Sequence, residues 1–330
     1  MKLQDLGMRL PKLPVSSVGS FPKPAALKNA RAQFERREIT REQLTEIERE
    51  TTKDWIQFQE EIGVDVLVDG EMYHGDMVAY FAENLAGFEE GGFVRSYGNR
   101  YYRKPIITGE VKWEKPLTVD WWKYAQSLTK KPVKGMLTGP YTIMDWSFNE
   151  YYANRRETSL ALAQVVRAEV IALIDAGATI IQIDEPACSV RTDELPLVIE
   201  SMDAVTKGLK AYFLTHICYG TFSKIYPKML DIPVDNFDLE MSNSDNDLLK
   251  CFKTSPFTKD LSAGVVDVHS HLLESREDVK RRIQEIAEFV PVNQLWIDPD
   301  CGLKTRSVKE AQEKLKVITD TVKELRKELS

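Results

Sequence analysis

An α/β fold, a parallel (β/α)8 TIM barrel, is predicted for this chain by three observations. From Leu13 onward, short β-rich runs alternate with longer amphipathic stretches, the pattern of repeated βα units around a parallel sheet. Eight runs qualify as strands, the number that closes such a barrel. Polar groups suited to metal, proton and ammonium binding follow those runs, at the end where barrels of this kind place their sites. A length of 330 residues suits one large barrel or two ordinary domains. No linker rich in Gly, Ser or Pro, no fixed-period repeat and no low-complexity tract divides the chain, so residues 1–330 are expected to form a single domain.

The strands are expected, in order, at Pro14–Ser20, Val64–Gly70, Val133–Gly139, Thr179–Glu185, Ala211–Cys218, Asn236–Met241, Gly264–Ser270 and Gln294–Asp298. Helical periodicity lies between and after them at Thr40–Glu61, Glu157–Ala176, Asp193–Lys207, Arg276–Phe289 and Val308–Leu329, the last opening after Ser307 as N-cap. Gly91–Trp122 breaks the alternation. It is rich in aromatic and β-branched residues and carries a turn signal at Tyr97-Gly98-Asn99, so it is expected to be a β-hairpin excursion between the second and third barrel strands. Its Ile106–Val111 run is the alternative candidate for a barrel strand, which would displace one of the eight.

Composition narrows the function. Apolar residues make up 43% and charged residues 29%, enough to bury a substantial core. The net charge of −7 gives no basic footprint for a phosphate backbone, which argues against nucleic acid as partner. Apolar runs are strand-sized, well below the roughly 20 residues that span a bilayer, and no secretory signal follows Met1. A cytoplasmic protein without a membrane partner is expected. Four cysteines, Cys188, Cys218, Cys251 and Cys301, are too sparse for a disulfide-stapled fold. Two of them, Cys188 and Cys251, have no companions at ligand spacing and are read as packing residues.

The other two belong to a metal-ligand set. His216 and Cys218 are two apart at the end of one strand, which puts them on the same side; Glu240 and Cys301 follow two later strands. Alone, each reads as a core residue. Together, two thiolates, an imidazole and a carboxylate form a set that zinc takes readily. Four protein ligands are the usual complement of structural zinc, whereas the barrel mouth is a catalytic position, and residue type does not choose between them. Such an electron-rich site is a weak electrophile toward water and better suited to holding a thiolate, since a free thiol has a pKa of about 8.5 and is mostly protonated at neutral pH. Acidic groups at other strand ends, Glu71 and Asp184, can bind a substrate ammonium or simply form a solvated rim. His269 is a candidate general acid. Trp146 can stack on a flat cofactor or pack in the core.

In their order these motifs resemble the catalytic C-terminal barrel of the cobalamin-independent methionine synthase family, over nearly the whole chain. The resemblance is carried by Val18-Gly19-Ser20-Phe21-Pro22, Met136-Leu137-Thr138-Gly139-Pro140, Ile181-Gln182-Ile183-Asp184-Glu185-Pro186, Thr215-His216-Ile217-Cys218-Tyr219 and Asp298-Pro299-Asp300-Cys301-Gly302-Leu303-Lys304-Thr305-Arg306. It implies that His216, Cys218, Glu240 and Cys301 bind a catalytic Zn2+ that holds homocysteine sulfur. It implies also that Val18, Ser20, Glu71 and Asp184 bind the substrate, that His269 assists proton transfer to the departing donor, and that Trp146 packs on the donor. The implied reaction is methyl transfer to homocysteine, giving methionine.

Two departures bear on the donor. Folate-using members carry a second, N-terminal barrel that has no counterpart expected in these residues, and the family's Ser-Pro-Arg after this histidine reads Ser270-His271-Leu272 here. The short single-barrel type is associated with methylcobalamin or a methylated corrinoid protein, which is therefore the expected donor, ahead of 5-methyltetrahydrofolate. A separate subunit resembling the N-terminal barrel is the other expected partner. Two rival readings stand beside this one: a zinc methyltransferase for another thiol such as coenzyme M, and a non-enzymatic barrel subunit with structural zinc.

Overall fold

The computed structural model describes residues 2–95, 101–218, 220, 222–244 and 246–329. Along the chain come helices α1 (Ala25–Glu35), α2 (Arg41–Ile62) and α3 (Met77–Asn84), then strands β1 (Ala86–Glu89), β2 (Phe93–Arg95), β3 (Tyr101–Arg103) and β4 (Ile106–Lys112). Helix α4 (Val119–Ser127), strand β5 (Gly135–Thr138), helix α5 (Pro140–Asp145), strand β6 (Phe148–Asn149) and helix α6 (Arg155–Asp175) follow. The rest runs β7 (Ile180–Asp184), α7 (Leu195–Thr206), β8 (Tyr212–Ile217), β9 (Asn236–Leu239), α8 (Leu249–Thr254), β10 (Asp260–Gly264), α9 (Arg276–Ala287), β11 (Leu295–Asp298) and α10 (Val308–Glu328), alternating except between β8 and β9.

Six strands share a sheet in the order β11-β10-β9-β8-β7-β5. The pairs β5–β7, β7–β8 and β10–β11 are parallel, with Thr138 opposite Asp184 and Gly264 opposite Asp298. Every residue of β5, β7, β8, β9 and β11 is buried. Burial on both faces is what a parallel sheet covered by helices requires, and it explains why these strands read as continuous apolar runs rather than alternating ones. Among the described residues, no helix is long and apolar enough to cross a membrane.

The chain groups into two compact units. The first comprises residues 1–6, 74–120 and 135–236. In it β5, β7 and β8 are followed by α5, by α7 and by loops, and α6 packs beside α5 and α7. It also holds a separate three-stranded sheet of order β1-β4-β6, in which β1 and β4 are antiparallel, and an antiparallel pair of β2 with β3. Ile106–Lys112 thus lies outside the six-stranded sheet. The expected turn at Tyr97-Gly98-Asn99 falls outside the described residues, and Val119–Trp122, expected as the end of the β-rich excursion, begins helix α4 instead.

The second unit comprises residues 7–73, 121–134 and 237–330. Helix α2 starts at a capping box, with Thr40 and Gln43 each accepting from the other's backbone N–H, and ends at Gly63, whose φ of 89° suits a left-handed cap. Helix α10 uses the same device at Ser307 and Glu310; losing such a cap costs about 1 kcal/mol. Helix α9 packs on α10, and α10 on α2.

Three expected strands differ here. Pro14–Ser20 and Val64–Gly70 are reduced to single parallel bridges, Val15 with Ile297 and Leu67 with Val133. One reason is that the Asp65 carboxylate takes the Val15 N–H at 2.8 Å, leaving that donor out of any ladder. The seventh strand lies at Asp260–Gly264, upstream of the predicted Gly264–Ser270. The apolar run Val265-Val266 is buried just past the strand end, whereas the true strand contains Ser262-Ala263-Gly264, small residues with little β signature.

Candidate active site

Strand ends of the first unit present three of the predicted residues. Alternation along β8 places His216 and, one step past the strand, Cys218 on the same side, and both are buried. The same alternation on β7 pairs Gln182 with Asp184, and the Gln182 amide donates to Asp184 Oδ1 at 2.8 Å. The next residue, Glu185, is fully buried and turned to α5, accepting from the backbone N–H groups of Tyr141 at 3.0 Å and Thr142 at 2.8 Å and from the Thr142 hydroxyl at 2.7 Å. Burial pushes its carboxyl up to about 7, against the pull of these donors. Its own N–H donates to the His216 carbonyl at 3.1 Å, joining the ends of β7 and β8. Trp146 is half-buried and caps the C-terminus of α5, so it ends a helix rather than sitting in an open loop.

In the second unit Val18 and Ser20 are buried, and the Ser20 carbonyl accepts from Leu303 N–H at 2.8 Å. Gly302 makes this approach possible, because a Cβ there would stand 2.0 Å from Ser20 Oγ. Asp69, also buried, accepts from Glu71 N–H at 2.9 Å. The turn forces Gly70 to φ 80° and Glu71 to φ 58°, a left-handed conformation unusual for a residue with a Cβ. Burial raises the Asp69 carboxyl to about 6. Nearby, burial and the Arg31 charge push the Lys23 ammonium down to about 8, while Glu71 pulls it up.

The remaining predicted residues belong to the same unit. Glu240 is buried just past β9, and its Oε1 accepts from the Asn243 side-chain amide at 2.7 Å. The same oxygen lies 3.5 Å from His269 Nε2 and raises the imidazole pKa, against burial, which lowers it. His269 is itself held by its N–H donating to Asp267 Oδ1 at 2.7 Å. Cys301 is partly buried and follows Asp300, which is fully buried.

One ligand atom from each of His216, Cys218 and Cys301 lies within 4.8 Å of the other two. A nitrogen and two sulfurs at that spacing fit a soft, tetrahedral divalent ion such as zinc. Glu240 stands outside this close group. Among the described residues none of the four cysteines forms a disulfide, so neither Cys218 nor Cys301 is consumed by one.

Asp69, Glu185 and Asp300 were given no role from sequence. The signal for Asp69 is local, an Asp two residues before the N–H it binds. Asp300 accepts from three N–H groups 57 to 59 residues away, so nothing nearby in the sequence reveals the turn it binds.

Comparison with known proteins agrees with the motifs. Residues 13–324 match the family described as the catalytic domain of cobalamin-independent synthase, and the chain belongs to that family. It is 40% identical to a 5-methyltetrahydropteroyltriglutamate–homocysteine methyltransferase of Bacillus velezensis, over 99% of this chain and 44% of that protein. A protein of the same name from Flavobacterium johnsoniae gives the same identity and coverage. The chain therefore spans about half the length of the curated relatives it matches. A B12-independent methionine synthase from Shewanella sp. W3-18-1, solved in complex with selenomethionine, is 26% identical, with a TM-score of 0.86 over 96% of this chain and 99% of that one. The expected methylcobalamin or corrinoid donor conflicts with the family's cobalamin independence and gains no support from these comparisons.

Proposed function

We propose that this chain transfers a methyl group from a 5-methyltetrahydrofolate-type donor to the sulfur of homocysteine, giving methionine. The observation that carries the reading is the convergence of His216, Cys218 and Cys301 within 4.8 Å in a chain 40% identical to homocysteine methyltransferases. In this reading residues 1–330 form one (β/α)8 catalytic domain, supported by the bridges that Val15 and Leu67 add beside the six-stranded sheet. The β-rich segment of β1–β4 is its excursion between the second and third barrel strands.

The donor set suits Zn2+, held by His216, Cys218 and Cys301 with Glu240 as the fourth ligand, and the chemistry it would supply is removal of the thiol proton, turning a poor nucleophile into a good one. The chain's own residues do the rest. Asp184 and Glu71 bind the substrate ammonium, and Asp184 is oriented for it by Gln182. Val18 and Ser20 shape the pocket for the amino-acid end. Trp146 packs against the flat donor. As the sulfur–methyl bond forms and the nitrogen–methyl bond breaks, His269 delivers a proton to the departing nitrogen. The cytoplasm, where thiols stay reduced, is the compartment this chemistry needs.

The test is methionine formation by purified, zinc-supplemented protein given homocysteine and 5-methyltetrahydropteroyltriglutamate, with metal content measured alongside. Methionine should form with the native chain, and Cys218→Ser or Cys301→Ser should lose zinc and activity together. Mercaptoethanesulfonate should fail as acceptor because it has no ammonium for Asp184 and Glu71. No methionine from the zinc-loaded protein, or full activity in a metal-free variant, rejects the proposal.

A further inference from the structure

Asp300 makes an arrangement that the proposed chemistry does not use directly. Its Oδ1 accepts from the N–H groups of Met241 at 3.1 Å and Ser242 at 2.8 Å, and its Oδ2 accepts from Asn243 N–H at 2.7 Å. Three successive donors of one turn thus converge on one fully buried carboxylate. That turn directly follows Glu240, and its third residue returns a side-chain bond, Asn243 Nδ2 to Glu240 Oε1 at 2.7 Å. Asp300 is fixed in turn by its own N–H, which donates to the Val266 carbonyl at 3.0 Å, and it immediately precedes Cys301. Gly264 clears the space it occupies: a Cβ there would lie 2.3 Å from Asp300 Oδ1.

From this geometry we infer that Asp300 is a positioning residue that sets Glu240 relative to Cys301 through Asn243. The inference rests on the zinc reading above. The residue beside one proposed ligand holds the loop of another, so Cys301 and the Glu240 carboxylate keep their relative placement. Outer residues that orient metal ligands are typically worth about 10- to 100-fold in metal affinity.

Asp300→Asn is the direct test, because it preserves shape but replaces one acceptor oxygen by an NH2 group. Whichever way the amide sits, a donor faces either the Asn243 N–H or the Met241 and Ser242 N–H groups. Asn243→Ala removes the return bond from a solvent-exposed position and keeps the test valid where Asp300→Asn does not fold. Zinc retention is measured by chelator competition, and the oxygen neighbour of bound zinc by X-ray absorption. Each variant should retain zinc about 10-fold or more weakly, with the oxygen neighbour lost or disordered. Combined with Glu240→Gln, neither should weaken retention further, since both act through Glu240. Native retention in either folded variant, or additive losses in the double variants, overturns the inference. If the native chain itself takes up no zinc, the zinc reading fails instead; backbone hydrogen exchange then decides for Asp300, which is rejected if amides 241–243 exchange equally fast in the native chain and in Asp300→Asn.

Discussion

Asp69 and Asp300 are both buried aspartates just past the end of a strand segment, and both use a carboxylate to hold a turn, yet they do so at different range. Asp69 holds its own turn: its oxygen binds the N–H two residues on, and the conformation that permits this puts Glu71 at φ 58°. Asp300 holds someone else's turn, three N–H groups of residues 241–243, and no residue from 298 to 302 takes a positive φ. The local device stores strain at the residue it presents. The distant one needs no left-handed residue at 298–302 but depends on a space left open by a third element, at Gly264. A left-handed residue other than glycine costs about 1–2 kcal/mol, so the two turns should respond oppositely to substitution.

The largest effect is expected from filling the space that Asp300 needs. In Gly264→Ala the new methyl meets Asp300 Oδ1 at 2.3 Å, Asp300 Cα at 2.6 Å and the Leu239 carbonyl at 3.0 Å. Two of these are backbone atoms and cannot swing aside, so overpacking should lower unfolding free energy by about 3 kcal/mol. Gly109→Ala in β4 is the control, since among the described residues its methyl would find only Gly87 Cα, at 3.6 Å. Urea denaturation of the two variants makes the comparison. Equal stabilities would show that the room around Asp300 is not needed.

The same contrast explains what could be read in advance. His216 and Cys218 were legible because strand alternation and residue type act within three positions, and Cys301 because it completes with them a ligand set that no member signals alone. The long helices were legible for a similar reason: Ser307 and Glu310 cap α10 with side chains three residues apart. The strands of 14–20 and 64–70 were read as longer than they are, because the interruption comes from a side chain, Asp65 bonding to Val15, that no periodicity reveals. Helix α5 was missed because its six residues are too few for a period, and its start is secured by Glu185, which lies 43 to 44 residues further on. Sequence reading reached the residues that converge as a candidate ligand set and stopped at those whose bonding partners lie far along the chain.

Next in size is a pH effect at Asp69. Burial raises this carboxyl to about 6 in the folded protein, above the ordinary range near 4 that it keeps when unfolded. A carboxyl raised by folding stabilises the fold fully below its unfolded pKa and loses that contribution as pH rises through the folded value. Between pH 4 and 7 the native chain should therefore lose on the order of 2–3 kcal/mol from this group alone. Asp69→Asn keeps an oxygen to accept from Glu71 N–H but cannot ionise. Relative to the native chain it should gain stability as pH climbs from 4.5 to 7.5 in urea titrations. A constant difference across that range would mean that Asp69 does not titrate there.

The smallest effect tests the strained residue itself. Glu71→Gly removes the Cβ that makes φ 58° unfavourable, which returns about 1–2 kcal/mol, but glycine is more flexible when unfolded and gives back roughly 0.5–1 kcal/mol. A net gain of about 0.5 kcal/mol should remain, seen as a slightly higher urea midpoint. In the proposed reaction the same change removes one of two carboxylates that bind the substrate ammonium, so KM for homocysteine should rise while kcat moves much less. Glu71→Gln separates the two consequences, because it keeps the strained backbone and loses only the charge: KM should rise as in the glycine variant, with no gain in stability. If Glu71→Gly is instead less stable than Glu71→Gln, which has lost the same charge, the left-handed turn is not strained, and the contrast between a turn that holds itself and a turn held from afar loses its energetic basis.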